Sequence, residues 1–466
     1  MKKNIIIYSL AAMTLSSLAG CEKSLNINPI NDVEESLAVR TSEDVESLLV
    51  GAYSDLGKAD MYGGSVFVVS ELLASGPDLR WSGTFETYTD IYRKQIKAIN
   101  NEVANVWVAG YKVINDANIV LANLNLVTAS KKARVEGEAK FLRACVHFDL
   151  VRLFGKSYMD GNPAQNDGVP LMLKPFKNPI DDEDLPSRAK VSAVYDQVIN
   201  DLKDAENLLS VPKQGYFFAH KIAAQAMLSR VYLQKGDYTN AATAADRAIK
   251  TNDAISASSR PFHLMGTYEA AFPINPDNAI VITNTPEDVF AIQVSNTSGV
   301  NDFNTYFALN GRGDISFTSN FLDLFEAGDE RADRYFEDGG AYYTDKFDNQ
   351  YSSVHIIRLA ELYLTRAEAN FRLGLSPAGA APVDDINLIR ERAGLDALTA
   401  GDLSLDVILH ERRVELAAEG FNLHDIKRTQ STAGTFNWNA KELIFPIPDR
   451  ERRVNKNLTQ NEGYGN

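Results

Sequence analysis

Residues 223–250 read AAQAMLSRVYLQKGDYTNAATAADRAIK, and this stretch decides the fold of the 466-residue chain. Apolar side chains recur at helical spacing on both sides of Gly236, and the half after Gly236 is rich in alanine. Small alanine side chains let two helices approach closely, and a glycine in the left-handed conformation can reverse the chain between them. The stretch therefore predicts a helical hairpin of the tetratricopeptide type.

A second segment of the same design spans 357–392. Its two apolar-periodic halves are separated by Gly374 and a loop rich in proline, alanine and glycine, so it also predicts a helical hairpin. Such hairpins cannot bury both of their faces alone and need neighbouring helices. Four further helices are predicted: one opened by 41–44 with a capping-box spacing, and others at 102–124, at 135–154 with Gly155 as its cap, and at 191–209.

Loop-rich insertions separate these helical units. The segments 63–92, 158–188 and 258–347 are rich in glycine, proline, asparagine, aspartate and aromatic residues, and weak alternation at 279–283 and 289–294 predicts short strands. We therefore predict an all-α fold, with a tetratricopeptide-like helical-hairpin scaffold, a large irregular loop region and a few short strands. Binding sites on rigid scaffolds usually lie in such loops.

The composition limits the possible functions. The chain is 45% hydrophobic and 23% charged, which is typical of a folded protein, and its formal net charge of −15 disfavours nucleic-acid binding. Only two cysteines are present, Cys21 and Cys145, so a disulfide framework and a cysteine-rich metal site are excluded. Cys145 lies on the apolar face of a predicted helix, which indicates a buried structural thiol.

The first residues have the pattern of a secretory signal. Lys2 and Lys3 precede an apolar stretch at 5–18 that is too short and too polar for a stable membrane span. The stretch ends in Leu-Ala-Gly-Cys at 18–21, which resembles the bacterial lipobox, in which the cysteine is acylated and becomes the first residue of the mature protein. Acyl chains hold a soluble body on a membrane without a spanning helix. An ordinary secretion signal with an incidental Cys21 is the alternative.

These features divide the chain into three parts. We expect a lipoprotein signal peptide at 1–20, a lipidated linker at 21–40 and a single body at 41–466. Within the body, an N-terminal part covers about 41–215 and a C-terminal part about 216–466. No metal and no cofactor are predicted.

The sequence contains partial matches to enzyme motifs, but each lacks a residue or a spacing that the chemistry requires. His410 and Glu411 begin like a zinc-binding H-E-x-x-H helix, but Val414 occupies the position of the second histidine ligand. The segment 51–58 lacks the spacing of a phosphate-binding loop, and no G-x-S-x-G motif of a serine hydrolase is present. We therefore predict no catalytic residues.

A charged segment near the C-terminus has a structural interpretation. Glu411, Glu415 and Glu419 stand four residues apart, and Arg412 and Arg413 lie within i+3 reach of them. The spacing predicts a charge-laced helix that fixes packing.

Several stretches together resemble the SusD/RagB family, the surface lipoproteins that capture nutrients beside a TonB-dependent outer-membrane transporter. In chain order the matching stretches are 136–144, 150–155, 168–171, 191–205, 357–361, 366–369, 386–394, 411–416, 419–428, 443–448 and 457–464. They cover nearly the whole chain after the signal, and their order, together with the lipobox, makes the resemblance specific.

The resemblance implies a tetratricopeptide-like scaffold, no catalysis and a ligand site built on loops. It also implies a lipid-anchored protein exposed on the cell surface at the outer membrane. There it would lie over a SusC-like TonB-dependent transporter as a lid that admits the ligand and delivers it. A periplasmic-facing helical-repeat adaptor of the cell envelope is the alternative function, and a lipid-anchored hydrolase with a site assembled from distant residues is a third.

Six side chains are the candidate ligand contacts. Four lie in the first insertion, where the resemblance places part of the site, and two in the third: Asp78, Arg80, Trp81 and Tyr88, then Asn304 and Tyr306. Sugar rings stack on flat aromatic faces, while arginine, aspartate and asparagine bind ring hydroxyls or peptide carbonyls. Trp107 is assigned to the core.

The number of tryptophans limits the ligand. Only three are present, Trp81, Trp107 and Trp438, which makes a wide tryptophan platform for a long polysaccharide hard to build. An oligosaccharide is favoured as the ligand, with a peptide as the other possibility.

Overall fold

The computed structural model describes residues 39–176, 185–212, 217–256, 259–277, 280–374 and 378–465. The predicted signal peptide, Cys21 with its predicted acylation, and the predicted linker up to residue 38 lie outside the described residues.

Helices dominate the described chain. The α helices are α1 (Ser42–Leu56), α2 (Ser65–Ala74), α3 (Glu86–Tyr92), α4 (Asn101–Ala122), α5 (Ala129–Phe154), α6 (Val191–Leu208), α7 (Lys221–Lys235), α8 (Tyr238–Asp253), α9 (Tyr268–Ala271), α10 (Asp302–Phe307), α11 (Ser319–Leu322), α12 (Leu359–Leu373), α13 (Pro382–Arg392), α14 (Leu405–Glu415), α15 (Asn422–Thr429) and α16 (Asp449–Val454). The strands are β1 (Leu79–Trp81), β2 (Asp288–Ile292), β3 (Ile315–Phe317), β4 (Tyr335–Asp338), β5 (Ala341–Thr344), β6 (Val354–Arg358), β7 (Thr432–Ala433) and β8 (Phe436–Asn437). The predicted fold class, an all-α scaffold with few short strands, is confirmed.

The scaffold is an array of helices packed on their neighbours in the order α1, α4, α5, α6, α7, α8 and α12. Both predicted hairpins are present, because Gly236 at φ +75° ends α7 and Gly374 at φ +64° ends α12, each in the left-handed conformation. Ala241, Ala244 and Ala245 of α8 are fully buried, so the alanine-rich face is the one that allows close approach.

The other predicted helices also form, with small shifts in their bounds. Thr41 caps α1 in a capping box with Asp44, as the spacing predicts. Helix α5 begins six residues before its predicted start and ends before Gly155, which is extended (φ −112°) rather than left-handed. Cys145 on α5 is fully buried, as expected of a structural thiol. Among the helices that the structure describes, none is long and apolar enough to cross a membrane.

Helix α2 lies inside the insertion 63–92, where the sequence suggested loop. All ten of its residues, SVFVVSELLA, are buried. Because a helix that is apolar on every side has no amphipathic stripe, its sequence carries no helical periodicity to detect. Gly64 precedes the helix at φ +155°, and a β-carbon there would clash with Asp302 at 2.2 Å, so the glycine allows α10 to pack against the start of α2.

The strands form three small antiparallel sheets. Strands β1, β3, β5 and β4 make the largest, in that order, with Arg80 opposite Ser316 and Phe317 opposite Tyr342. Strand β2 pairs with β6, which confirms the strand predicted at 289–294. Of the other predicted strand, 279–283, the structure describes residues 280–283, in which Ile282 forms an isolated bridge with Ser352.

A buried ion network joins the irregular region to the helical scaffold. Arg358, at the junction of β6 and α12, is 2% exposed and donates to Glu287, Glu415 and Glu419 at 2.6 to 2.9 Å. Arg392, at the end of α13, donates to Glu287 at 2.7 Å and also to Glu415. The network therefore ties β2, β6, α13 and α14 to one another.

The predicted pairing within the charged C-terminal segment is wrong in its partners but correct in its structural role. Helix α14 ends at Glu415, so Glu419 lies in the turn that follows. Arg412 binds Asp425 at 2.9 Å and Arg413 binds Asp78 at 2.5 Å, so neither arginine pairs with the three glutamates. Helical spacing missed these partners because both aspartates lie outside α14 and reach the arginines only through the tertiary fold.

Replacing Arg358 should let the protein unfold at a lower concentration of urea. We expect Arg358→Met to lower the free energy of unfolding by about 3 to 5 kcal/mol, because it leaves three buried carboxylates with only Arg392 and Lys346 to balance their charge. Urea denaturation followed by circular dichroism measures this. The control Arg453→Met removes an arginine whose side chain is 75% exposed, and it should change the stability by less than about 1 kcal/mol. Equal losses in the two variants would contradict the role of the network.

Acid should weaken the same network. Burial alone would raise the pKa of Glu419, but the charges of Arg358 and Lys346 outweigh it and lower the pKa from 4.5 to about 2. Since the folded pKa lies below the unfolded one, this stabilisation is complete above pH 4.5 and is lost as the pH falls towards 2. Calorimetric melting temperatures of the wild type and Glu419→Gln should therefore converge between pH 7 and pH 3. A constant difference over that range would argue against the assignment.

Candidate functional site

Three of the predicted aromatic side chains meet in one cluster. Trp81 ends β1, Tyr88 lies on α3 and Tyr306 on α10. The ring centroids lie 5.5 Å apart for Trp81 and Tyr88, 5.1 Å for Tyr88 and Tyr306, and 6.2 Å for Trp81 and Tyr306. All three side chains are buried, at 8% exposed or less. The cluster therefore offers little surface to a ligand and acts mainly as packing for its neighbours.

Hydrogen bonds fix the orientation of these rings. The indole N–H of Trp81 donates to Thr89 Oγ1 at 2.9 Å, and the hydroxyl of Tyr88 donates to Glu102 Oε1 at 2.9 Å. A buried aromatic ring with a satisfied polar atom has little freedom to reorient. The backbone of Gly83 closes over the indole of Trp81, where a β-carbon would come within 2.4 Å of the ring.

Phe85 presents an exposed aromatic face beside this cluster. Its ring lies 6.2 Å from that of Tyr88 and is 43% exposed. The guanidinium of Arg312 stacks 4.6 Å from the centre of the Phe85 ring and is held there by Asp314, whose carboxylate accepts from Arg312 Nε at 2.7 Å. The pair therefore combines a flat apolar face with a fixed hydrogen-bond donor.

The exposed surface continues across the four-stranded sheet. A β-carbon on Gly313 would lie 3.3 Å from Tyr343 Cε1, so the turn after Arg312 rests on Tyr343 of β5. Tyr343 is paired with Phe336 of β4, with ring centroids 6.4 Å apart, and Phe336 is 37% exposed. These contacts link Phe85, Arg312, Tyr343 and Phe336 in series, with Gly313 as the step between Arg312 and Tyr343, and we call these four side chains the aromatic ribbon.

The other three predicted residues lie outside the cluster. Asp78 is bound by Arg413 and accepts from the backbone N–H of Gly76 at 3.2 Å. Asn304 is 6% exposed, and its amide donates to the carbonyl of Phe347 at 2.8 Å. Arg80 is exposed, and because side chains alternate along a strand it lies on the face of β1 opposite Trp81.

The strand register shows which residues lie on the same face of the four-stranded sheet as Arg80. Arg80 is opposite Ser316, and Phe317, the next residue of β3, is opposite Tyr342. Alternation therefore places Arg80 and Tyr343 on the same face of the sheet. Contact of the six predicted residues with a ligand stays a prediction.

Acidic groups lie beneath the cluster. Burial raises the pKa of Asp302 to about 6 and that of Tyr306 to about 12, with the charge of Glu102 acting in the same direction in both. Burial also raises the pKa of Glu102. Among the described residues, no group of three or more histidine, cysteine, aspartate or glutamate side chains is arranged to hold a metal ion.

Sequence reasoning missed Phe85, Arg312, Phe336 and Tyr343. Phe85 lies between Trp81 and Tyr88 in a stretch already selected for its aromatic residues, so its position was a usable clue. Arg312 is part of an Arg-Gly-Asp tripeptide that chance supplies often, and nothing local connects it to Phe85, 227 positions earlier in the chain. Phe336 and Tyr343 could be assigned to a face only from the register of β4 and β5.

Comparison with known families identifies the class of protein. A family model described as SusD-like, starch-binding and associating with the outer membrane matches residues 25–233, and the SusD family model matches residues 334–443. The chain belongs to the SusD family, whose members are starch- and glycan-binding proteins associated with the outer membrane. The predicted resemblance is thereby confirmed.

Relatives match over almost the whole length. SusD-like protein P38 of Formosa agariphila is 25% identical, with 99% of each chain covered. The starch-binding protein SusD of Bacteroides thetaiotaomicron is 23% identical, again with 99% of each chain covered. The crystal structure of a SusD-like carbohydrate binding protein from Bacteroides vulgatus superposes with a TM-score of 0.75 at 23% identity, covering 90% of this chain and 98% of that one, which shows the shared fold.

The acid beneath the cluster should make stability depend on pH. Burial places the folded pKa of Asp302 at about 6 against an ordinary 3.8, so the folded state binds the proton more tightly and stability falls as the pH rises through 6. We expect Asp302→Asn to raise the free energy of unfolding by about 2 kcal/mol at pH 8 and by much less at pH 4. Urea denaturation at the two pH values measures the difference.

The matched control for this prediction is Asp196→Asn, whose side chain is 63% exposed. It should have little effect at either pH. A gain for Asp302→Asn that is the same at pH 4 and pH 8 would show that the change acts through packing rather than through the buried charge.

Proposed function

We propose that this protein is a surface-exposed, outer-membrane lipoprotein that binds an oligosaccharide and delivers it to a SusC-like TonB-dependent transporter. The observation that supports the proposal most directly is the aromatic ribbon, in which the rings of Phe85 and Phe336 are exposed and the ring of Phe85 packs beside the buried aromatic cluster. We assign the ribbon a role in binding and no catalytic step.

The chemistry of the ribbon suits a short glycan. The C–H faces of sugar rings stack on flat aromatic rings, and the ribbon surface offers such rings in Phe85, Tyr343 and Phe336. Arg312 and Arg80 supply charged hydrogen-bond donors on that surface, and Arg312 is already oriented by Asp314. The names of relatives agree with a glycan, since one is a starch-binding protein and another a carbohydrate binding protein.

Membrane attachment and delivery are further parts of the proposal. The signal sequence and the lipobox at 18–21 support an acyl anchor on Cys21. The anchor would leave the body at 41–466 in water beside the membrane. Copurification from native outer membranes tests the partner: a TonB-dependent transporter should be recovered with the wild type, and its absence would remove delivery from the account while leaving glycan binding open.

Ligand binding should depend on exposed residues of the ribbon. We expect Phe85→Ala and Arg312→Ala to weaken binding of an oligosaccharide by at least about tenfold, which corresponds to about 1.4 kcal/mol. Isothermal titration calorimetry with a panel of oligosaccharides and peptides measures this. Trp81→Ala is a poorer choice because truncating a buried tryptophan costs about 3 to 5 kcal/mol of stability and confuses folding with binding.

The control Leu388→Ala shortens an apolar side chain that is 42% exposed and lies on α13, a helix that packs on α12 and α14. It should leave binding unchanged. Saturable binding of glycans that survives both ribbon variants would move the site elsewhere, and binding of peptides alone would replace the glycan as the ligand class.

A further inference from the structure

The pairing of the four-stranded sheet connects the aromatic ribbon to a charged residue. Arg80 on β1 lies opposite Ser316 on β3. Strands β3 and β5 run antiparallel with Phe317 opposite Tyr342, so the residue before Phe317 faces Tyr343. Strand β4 pairs with β5 and completes a row across the sheet, which runs Arg80, Ser316, Tyr343 and Phe336.

One short ligand can span this row. Neighbouring strands lie about 4.8 Å apart, so the backbone of Arg80 is about 10 Å from that of Tyr343 and about 14 Å from that of Phe336. Arg80 and Phe336 are exposed, and the small side chain of Ser316 between them is buried. A ligand that stacks on Tyr343 and extends across the strands towards β1 therefore reaches Arg80.

The guanidinium of Arg80 is available to a ligand. Most other arginines in the described chain bind carboxylates, as Arg331 binds Asp329 and Arg428 binds Glu368. The Arg80 guanidinium forms neither an ion pair nor a hydrogen bond with any residue that the structure describes. Its planar fork of N–H donors matches the paired oxygens of a carboxylate or of a similar oxyanion such as a sulfate ester.

The carboxylates closest to Arg80 along β1 and beside β3 are bound to other arginines. Asp78, two residues before Arg80, is bound by Arg413. Asp314, which immediately precedes β3, accepts from Arg312 Nε at 2.7 Å. Arg312 and Asp314 balance each other, so this pair adds no net charge to the surface. Neither acid is left to compensate the charge of Arg80.

The acids of the β4–β5 hairpin lie further from Arg80. Glu337 alternates with Phe336 along β4 and therefore lies on the opposite face of the sheet. Asp338 shares the face of Phe336, but its position two residues further along β4 puts its backbone about 16 Å from that of Arg80. Exposed charges are largely screened beyond a Debye length of about 8 Å at physiological salt.

The acids of helix α3, which follows β1, are balanced by a lysine. Glu86 and Asp90 lie 3.7 and 3.5 Å from Lys97 Nζ. In a chain with a formal net charge of −15, the surface around Arg80 therefore keeps an uncompensated positive charge, which favours an anionic group on the ligand.

From this arrangement we infer that the ribbon selects an acidic oligosaccharide and that Arg80 determines this specificity. One sugar ring of the ligand stacks on Tyr343, and the carboxylate or sulfate group of a neighbouring sugar is bound by the guanidinium of Arg80. The inference rests on the proposed glycan function and names the class of glycan. Uronic acids and sulfated sugars share the oxyanion chemistry, and titration with each kind separates the two.

The test is isothermal titration calorimetry on the whole chain after residue 20 with Cys21→Ser, so that no acyl group is attached. The panel contains short oligosaccharides of equal length: galacturonates and mannuronates, sulfated fragments of carrageenan and chondroitin sulfate, and neutral fragments of starch and laminarin. We expect at least one acidic oligosaccharide to bind at least tenfold more tightly than every neutral one. Raising NaCl from about 50 to about 500 mM should weaken that binding, because salt screens the charge of Arg80.

Matched ligands and variants separate charge from shape. Methyl-esterified oligogalacturonate keeps the sugar and the linkage of oligogalacturonate and removes only its charge. Arg80→Gln should weaken binding of the acidic oligosaccharide by at least tenfold without changing the melting temperature, and Arg80→Lys should restore part of the affinity. Arg453→Gln removes the same charge from an arginine of α16 whose side chain is 75% exposed, and it should have no effect.

The outcomes distinguish this inference from the function on which it rests. Neutral oligosaccharides that bind as tightly as acidic ones, or acidic binding that is unchanged in Arg80→Gln, would overturn the acidic specificity and leave glycan binding in place. A folded protein that binds no oligosaccharide of either kind would overturn both.

Discussion

The rest of the structure depends on the ion pairs that the buried guanidinium of Arg358 makes. The guanidinium is buried away from water and binds Glu287 from one part of the chain and Glu415 and Glu419 from another. A buried charge is costly unless partners surround it, so these groups must assemble together or not at all. The turn that presents Glu419 even holds Ala418 at φ +64°, a left-handed conformation that is uncommon for residues other than glycine.

The residues that follow β5 connect this ion network to the aromatic cluster of the candidate site. Lys346 donates to Glu419 at 3.0 Å, and the carbonyl of the next residue, Phe347, accepts from Asn304 on α10. Two residues further along α10, Tyr306 packs in the aromatic cluster. Rigid support of this kind lets a loop-built surface keep its shape, so that a ligand does not have to order it on binding.

Local sequence patterns predicted the scaffold well because the residues that determine each hairpin lie within that hairpin. The alanine face of 241–248, the left-handed glycines and the capping box at Thr41 all act within a few residues. Helix α2 escaped detection because burial on every side removes periodicity. The ion pairs of Arg412 and Arg413, and the contact of Arg312 with Phe85, join residues distant in sequence, so no local rule could supply them. For the site, sequence selected three rings that do meet, but it could not distinguish buried rings from exposed ones.

We propose that the aromatic ribbon, whose Phe85 end packs beside the buried cluster, binds a short glycan. A crystal structure of the protein with the tightest-binding oligosaccharide from a titration panel tests it most directly. The account predicts sugar rings stacked on Phe85 and Tyr343, with a hydroxyl bound by Arg312. Density for the sugar that contacts none of the four ribbon side chains would contradict it.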